Sequence, residues 1–242
     1  MPSASAECQV PSARSTIPAV PRRPSSPLPT FPAAARALAA IGRRFYARGW
    51  MQGTSGNLSA VVARDPLRLA ITASSVPKGG LTPKQILLVN ERGEPARPTR
   101  LRPSAETLLH CLLAAERRAG AVLHTHSIWS TILSEDHAPA GALTISGYEM
   151  LKGFDGVRTH EHREVIPILE NDQDMRRLGD RLHDALGRHP DAHAVLLHRH
   201  GLYTWGRTLA DAERHVEIVE FLFEVVGGRR GSDYRLPITD SR

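Results

Sequence analysis

Two histidine pairs, each His-x-His and each closing an apolar run, constrain this chain more than any other feature. The first lies in "AVLHTHS" (121–127) and the second in "LLHRHG" (196–201). Side chains at i and i+2 of a strand project from one face about 7 Å apart. His124 and His126 can therefore converge on one ion with little backbone strain. Imidazole nitrogen suits zinc, and also iron, cobalt, nickel or manganese. The competing explanation is that the rings only complete buried hydrogen bonds. A catalytic zinc usually takes three protein ligands and keeps a position for water or substrate. Two ligands from the first run and one from the second would supply that. Spacing alone does not choose between His198 and His200. The other histidines, among them His137, His160, His162, His183, His189, His193 and His215, read as surface or helix residues and stay outside the set.

The chain is long enough, at 242 residues, to bury a full core as one domain with or without a tail. Its two cysteines, Cys8 and Cys111, provide no disulfide framework, which fits a reducing cytoplasm. No apolar run approaches a membrane span in length. The net charge of +6 points toward nucleic acid until it is located. Between Glu7 and Asp65 there are eight arginines and no acidic residue, so residues 65–242 sum to about −1. The basic excess belongs to the N-terminal segment and the body is near neutral, which argues against a nucleic-acid or membrane partner.

Residues 1–31 are rich in Pro, Ser and Ala without lasting periodicity. Such a segment buries too little surface to offset its ordering entropy, so a disordered tail is expected. Its prolines argue against the amphipathic helix of a transit peptide. From residue 32 the pattern becomes that of one mixed α/β domain, extending to about 230, with a short tail at 231–242. Leu38, Ile41 and Phe45 mark a helix ending near Gly49. "LSAVVA", "LRLAIT" and "ILLVN" read as strands, and Ser104 can cap a helix that runs to Gly120. "AVLHT" is a strand, followed by a helix from Ile128 and strands at "LTIS" and "EVIPIL". Asn171 or Asp172 can cap the next helix. "AHAVLLHRHGLYTW" reads as a hairpin or broken strand, and a long helix from about Leu209 to Val226 closes the domain.

Three small-residue clusters could cradle an anion. "QGTSGNLS" (52–59) lets backbone N–H groups approach closely. It is no Walker loop, because no Gly-Lys-Ser/Thr follows. "TASSVPKGG" (72–80) follows a strand and includes Lys78. "RPSAET" (102–107) opens a helix, whose N-terminus favours anions. Singly each reads as a turn; together, beside a histidine metal site, they point to a phosphorylated substrate. Two carboxylates complete the set, Glu106 and Glu149 in "GYEMLKG". A bound cation acidifies the C–H beside a carbonyl, so a nearby carboxylate can take that proton and return one to a leaving oxygen. The plainer alternatives are a first-turn helix charge for Glu106 and a solvated loop charge for Glu149.

"GTSGNLS", "ITASSVPKG", "RPSAET", "VLHTHS" and "LLHRHGLYTWG", in this order over most of residues 35–226, resemble the class II aldolase/adducin family. "SGYEMLKG", "IPILENDQD" and "HGLYTWG" resemble the branch of that family that works as a dehydratase in methionine salvage. The resemblance implies a three-layer α/β/α fold around a mostly antiparallel sheet, and a cytoplasmic homotetramer with sites between subunits. It implies one Zn2+ per subunit on His124, His126 and His200, which sets His198 aside. Ser55, Gly56, Asn57, Ser74, Ser75 and Ser104 fall where the family holds phosphate. Glu106 takes the position of the aldolases' acid/base, and in the dehydratase pattern Glu149 takes that role. The second serine of the aldolases' Ser-Ser-Glu is Ala105 here, which leaves at most a backbone N–H contact there. The implied reaction removes water from 5-methylthioribulose 1-phosphate, giving 2,3-diketo-5-methylthiopentyl 1-phosphate. The alternative is a sugar-phosphate aldolase or a pentulose-phosphate epimerase, with Glu106 as the main proton carrier.

Overall fold

A computed structural model describes residues 27–232. The expected tails, 1–31 and 231–242, lie almost wholly outside the described residues. The Ala-rich segment forms α1 (Phe31–Ala47), with Pro32 in its first turn, where a missing N–H costs nothing. Eight strands follow: β1 (Asn57–Arg64), β2 (Leu67–Thr72), β3 (Ile86–Asn90), β4 (Ala121–Thr125), β5 (Ala142–Ser146), β6 (Arg163–Leu169), β7 (Ala194–Leu197) and β8 (Gly201–Gly206). Between them lie α2 (Thr107–Glu116), α3 (Ile128–His137) and α4 (Met175–Arg188), and α5 (Leu209–Ser232) comes last.

The strands make one sheet in the order β3-β2-β1-β4-β8-β7-β6-β5. Neighbours are antiparallel except β6 with β7. Alternation along each strand feeds two cores. On one face Leu58, Ala60, Ala121 and Leu123 pack with α1 and with Ala212 and Val216 of α5. Farther along that face Leu196 and Leu202 meet Leu133 of α3 and Leu222 of α5. On the other face Val122, Val195, Tyr203 and Trp205 pack against Leu109 and Leu113 of α2 and Leu178 and Leu182 of α4. This is the expected three-layer α/β/α architecture with a mostly antiparallel sheet. Among the described residues no helix is long and apolar enough to cross a membrane.

Two helix starts differ from the expectation. Helix α2 begins at Thr107, and Ser104 Oγ accepts the Glu106 N–H at 3.3 Å one turn earlier, so residues 104–106 form a turn that presents Glu106. Helix α4 is capped by Asp174, whose Oδ1 accepts the N–H groups of Arg176 and Arg177. Asp172 instead pairs with Arg177 and Arg181.

Candidate active site

Strand register assembles the site. Pairing of β1 with β4 sets Asn57 opposite His124, and pairing of β4 with β8 sets His124 opposite Tyr203. Along β4 the faces alternate. Leu123 enters the α1 core, and Thr125 Oγ1 donates to the buried Glu220 of α5 at 3.1 Å. Val122 packs toward α2, so His124, and His126 just past the strand end, fall on that side. The turn between β7 and β8 supplies the third ring. Arg199 takes a left-handed φ of 54° there, which sends its two neighbours in different directions. His198 Nδ1 lies 3.1 Å from Glu170, whereas His200 joins His124 and His126, with ligand nitrogens of all three within 4.8 Å of one another.

Gly201 makes this closure possible. A Cβ there would lie 2.3 Å from the Thr125 carbonyl oxygen and about 3 Å from the His124 and His126 rings. Gly201→Ala is expected to destabilise the fold by roughly 1–3 kcal/mol, as overpacking does. Thermal melts should show a drop of about 2–4 °C per kcal/mol for a domain of this size. A variant with unchanged Tm would remove the steric account.

The rings are arranged to offer lone pairs. His124 Nδ1 donates to the Leu202 carbonyl at 3.0 Å, and its Nε2 faces His126 Nε2 at 2.8 Å. A backbone brace of this kind is what orients a metal-ligating imidazole. Burial, and then the neighbouring rings, lower His126 to about 2 and His200 to about 4, so both are neutral at pH 7. His200 Nδ1 is buried without a hydrogen-bond partner. Three converging imidazoles fit a divalent transition-metal ion, zinc among them, better than they fit one another.

Glu106 closes the fourth side. Its Oε1 lies 3.2 Å from His200 Nε2 and 3.5 Å from His124 Nε2, and its Oε2 accepts from Asn57 Nδ2 at 2.6 Å. Burial works to raise this carboxyl, but His124, His200 and Asn57 outweigh it and hold it well below the usual carboxylate range. Next to it opens a cleft of about 200 Å³ lined by Ser55, Gly56, Asn57, Ser74, Ser75 and Ser104 together with Lys78. Ser55 Oγ is buried there with no partner, a donor without an acceptor. Gly56 has φ +69°, and a Cβ on it would lie 2.6 Å from the His124 carbonyl oxygen. All six residues expected at the phosphate thus share one cleft with Glu106 and His126.

Glu149 is not among them. It sits on a single helical turn (Glu149–Gly153), is exposed, and pairs with Lys152 at 2.5 Å. Three residues that the sequence reading left out of the set belong to this region. Lys78 is buried, and its Nζ donates to the Thr54 and Val76 carbonyls at 3.0 and 2.9 Å. Its place after Ser74-Ser75 was the available signal. The Tyr203 ring stacks on His124 with centroids 4.0 Å apart, and His110 of α2 reaches Asn57 from behind. Neither carried a signal beyond its strand or helix pattern. His162 and His193 are also not simple surface residues: both contact the buried Glu164, at 2.8 and 3.0 Å, and His193 Nε2 lies 2.9 Å from the Asp155 carbonyl oxygen. Burial opposes protonation of His193, but Glu164 overcomes it, so this cluster is satisfied as an ion pair.

Residues 36–226 match the model of the class II aldolase and adducin N-terminal domain. The chain belongs to the class II aldolase/adducin family. Among family members, it is 44% identical over 196 residues to methylthioribulose-1-phosphate dehydratase of Marinobacter nauticus, covering 80% of this chain and 92% of that one. It is 42% identical to the enzyme of that name from Sorangium cellulosum, covering 81% and 92%. YgbL of Escherichia coli has a related structure, with TM-score 0.65, 26% identity and coverage of 78% of this chain and 86% of that one. The L-fuculose-1-phosphate aldolase of Thermus thermophilus, 22% identical, shares the fold with TM-score 0.62 over 81% and 95%. The dehydratase segments and the aldolase-like fold thus meet in one class II aldolase domain.

Proposed function

We propose that this chain is a methylthioribulose-1-phosphate dehydratase, a hydro-lyase of methionine salvage working in the cytoplasm. The observation that carries the substrate is the 44% identity to the Marinobacter nauticus dehydratase over nine-tenths of that protein's length. The geometry supports the reaction class: a histidine trio, a carboxylate against it and an anion cleft beside it.

His124, His126 and His200 would hold one divalent cation, Zn2+. When bound, that cation polarises a carbonyl oxygen and so acidifies the neighbouring C–H. Ser55, Gly56, Asn57, Ser74, Ser75 and Ser104 hold the 1-phosphate, with the Lys78 ammonium alongside. That grip sets the ketose backbone along the cleft. The proton on C3 passes to a carboxylate, the C3–H electron pair becomes the C3=C4 bond, and the C4 hydroxyl leaves as water with that proton. The enol ketonises to the 2,3-diketone. Glu149 is the acid/base in this reading. Within one chain it is exposed and apart from the cleft, beside Met150 at 39% exposure, and this reading needs a neighbouring copy in a homotetramer to bring it to the site.

One observation favours a second reading, aldolase or epimerase chemistry: Glu106, not Glu149, lies against the trio in the same chain. Incubation of zinc-loaded protein with 5-methylthioribulose 1-phosphate separates the two. A product one water lighter by mass spectrometry supports the dehydratase. Release of a two- or three-carbon phosphate fragment from a ketose phosphate moves the assignment to the aldolase.

Lys78 adds a pH dependence. Burial lowers it to about 8, partly offset by Glu106. Phosphate binding needs the ammonium, so kcat/KM should fall as pH rises through about 8, carried by KM. Lys78→Met should lose this limb, and an unchanged limb would exclude Lys78 as its source. The stability effect has the opposite direction. An unfolded lysine keeps its proton up to its ordinary 10.5, so between about 8 and 10.5 the unfolded state binds more protons, and the cost of burying the Lys78 ammonium, full below about 8, is relieved as pH rises.

A further inference from the structure

Behind Glu106 runs a chain of buried side chains, of which the reaction as described uses only Asn57. Ser59 and Asn57 of β1 and His110 of α2 are all buried. Ser59 Oγ lies 2.8 Å from His110 Nδ1, His110 Nε2 is hydrogen-bonded to Asn57 Oδ1, and Asn57 Nδ2 donates to Glu106 Oε2 at 2.6 Å. Donor counting favours one arrangement, in which the Ser59 hydroxyl turns to His110 rather than to the Val122 carbonyl 3.4 Å away. Asn57 turns its N–H end toward a carboxylate, so its oxygen must accept from His110. His110 then carries its proton on Nε2. Burial keeps the ring neutral, which leaves Nδ1 as an acceptor for the Ser59 hydroxyl. In the other tautomer Nε2 and Oδ1 would face each other as two acceptors. The Asn57 amide would then have to turn over and present its oxygen to Glu106.

We propose that His110 is a positioning residue, locking the Asn57 amide so that its N–H end holds Glu106 against the histidine trio. Packing supports the lock: the His110 ring meets Tyr203 edge-on at 5.7 Å, and Tyr203 stacks on His124. The inference rests on reading this cleft as the active site. It requires nothing of Glu149.

Two measurements test it. The first uses metal-free, 15N-histidine-labelled protein. NMR should find His110 neutral with its proton on Nε2, and Ser59→Ala should shift the ring toward the Nδ1–H form. A wild-type ring protonated on Nδ1 overturns the proposal. The second is kinetic, on zinc-loaded enzyme. His110→Phe keeps the bulk but removes the donor, and should lower kcat about 10- to 100-fold, as loss of a supporting partner does, with KM little changed and zinc content intact. His110→Gln, whose amide can still donate to Asn57 Oδ1, should recover most of that loss. Wild-type kcat in His110→Phe, or equal losses in the Phe and Gln variants, would overturn it. If His110→Phe fails to fold, Ser59→Ala carries the kinetic arm: a fall in kcat supports the proposal and an unchanged kcat overturns it. Failure of the wild-type enzyme to release water would count against the functional reading alone, since the NMR result stands apart from turnover.

Discussion

Replacement of His124 by alanine is expected to yield a folded chain that no longer retains one divalent metal ion and has lost about 10³-fold or more in kcat/KM. A Lewis-acid cation contributes several kcal/mol to transition-state stabilisation, and each 1.36 kcal/mol is tenfold in rate. His124 is the central member: it lies between Asn57 and Tyr203 in the strand register, and its Nδ1 is braced by Leu202. Metal content after dialysis, measured by mass spectrometry, should fall with activity, while circular dichroism reports the fold. His198→Ala is the matched control, because that ring pairs with exposed Glu170 outside the trio. Retention of metal and turnover in His124→Ala would remove the trio from the chemistry. Loss of both in His198→Ala would move the third ligand.

Glu149→Gln, loaded with zinc, is expected to retain the metal and lose turnover by about 10²- to 10⁴-fold, the range for removing one general acid/base. Glu106→Gln should also be impaired, since its carboxylate lies against two of the three rings. The two losses differ in a way that mixing reveals. If Glu149 serves a neighbour's cleft, subunits carrying Glu149→Gln and subunits carrying Glu106→Gln each lack a different half of the site. Oligomers reassembled from both variants should then recover part of the activity, because some interfaces would pair an intact Glu149 with an intact Glu106. No recovery, with Glu149→Gln alone fully active, would make Glu106 the proton carrier and favour the aldolase reading. Recovery would fix both the role of Glu149 and the shared site.

Much of this was legible in short segments. An i, i+2 histidine pair after an apolar run can face only one way once its strand has a buried side, so His124 and His126 needed no structure to be grouped. The Gly- and Ser-rich loops and the turn at 104–106 likewise collected in one cleft, because small residues are what let backbone approach an anion. The choice of His200 over His198 was different. Residue types at that turn leave both open, and the left-handed backbone at Arg199 separates them. Family resemblance made the same choice for a reason invisible in the spacing.

Buried polar partners were the least legible. His110 occurs in a helix pattern where a histidine has no distinctive spacing, and Lys78 could have been one more loop lysine. Their roles depend on contacts between segments some 20 to 50 residues apart, Lys78 with Thr54 and His110 with Asn57 and Ser59. Glu149 shows the converse. Its motif is distinctive in the sequence, yet one chain leaves it in solvent. Local chemistry, which is the strand period, the small-residue loops and the ligand types, is written in neighbouring residues and can be read in order. Which rings and carboxylates share a proton or an ion depends on the register of β1, β4 and β8 and on the α2 layer above them. Those are long-range choices, made by the burial of two apolar faces at once, and no single segment encodes them.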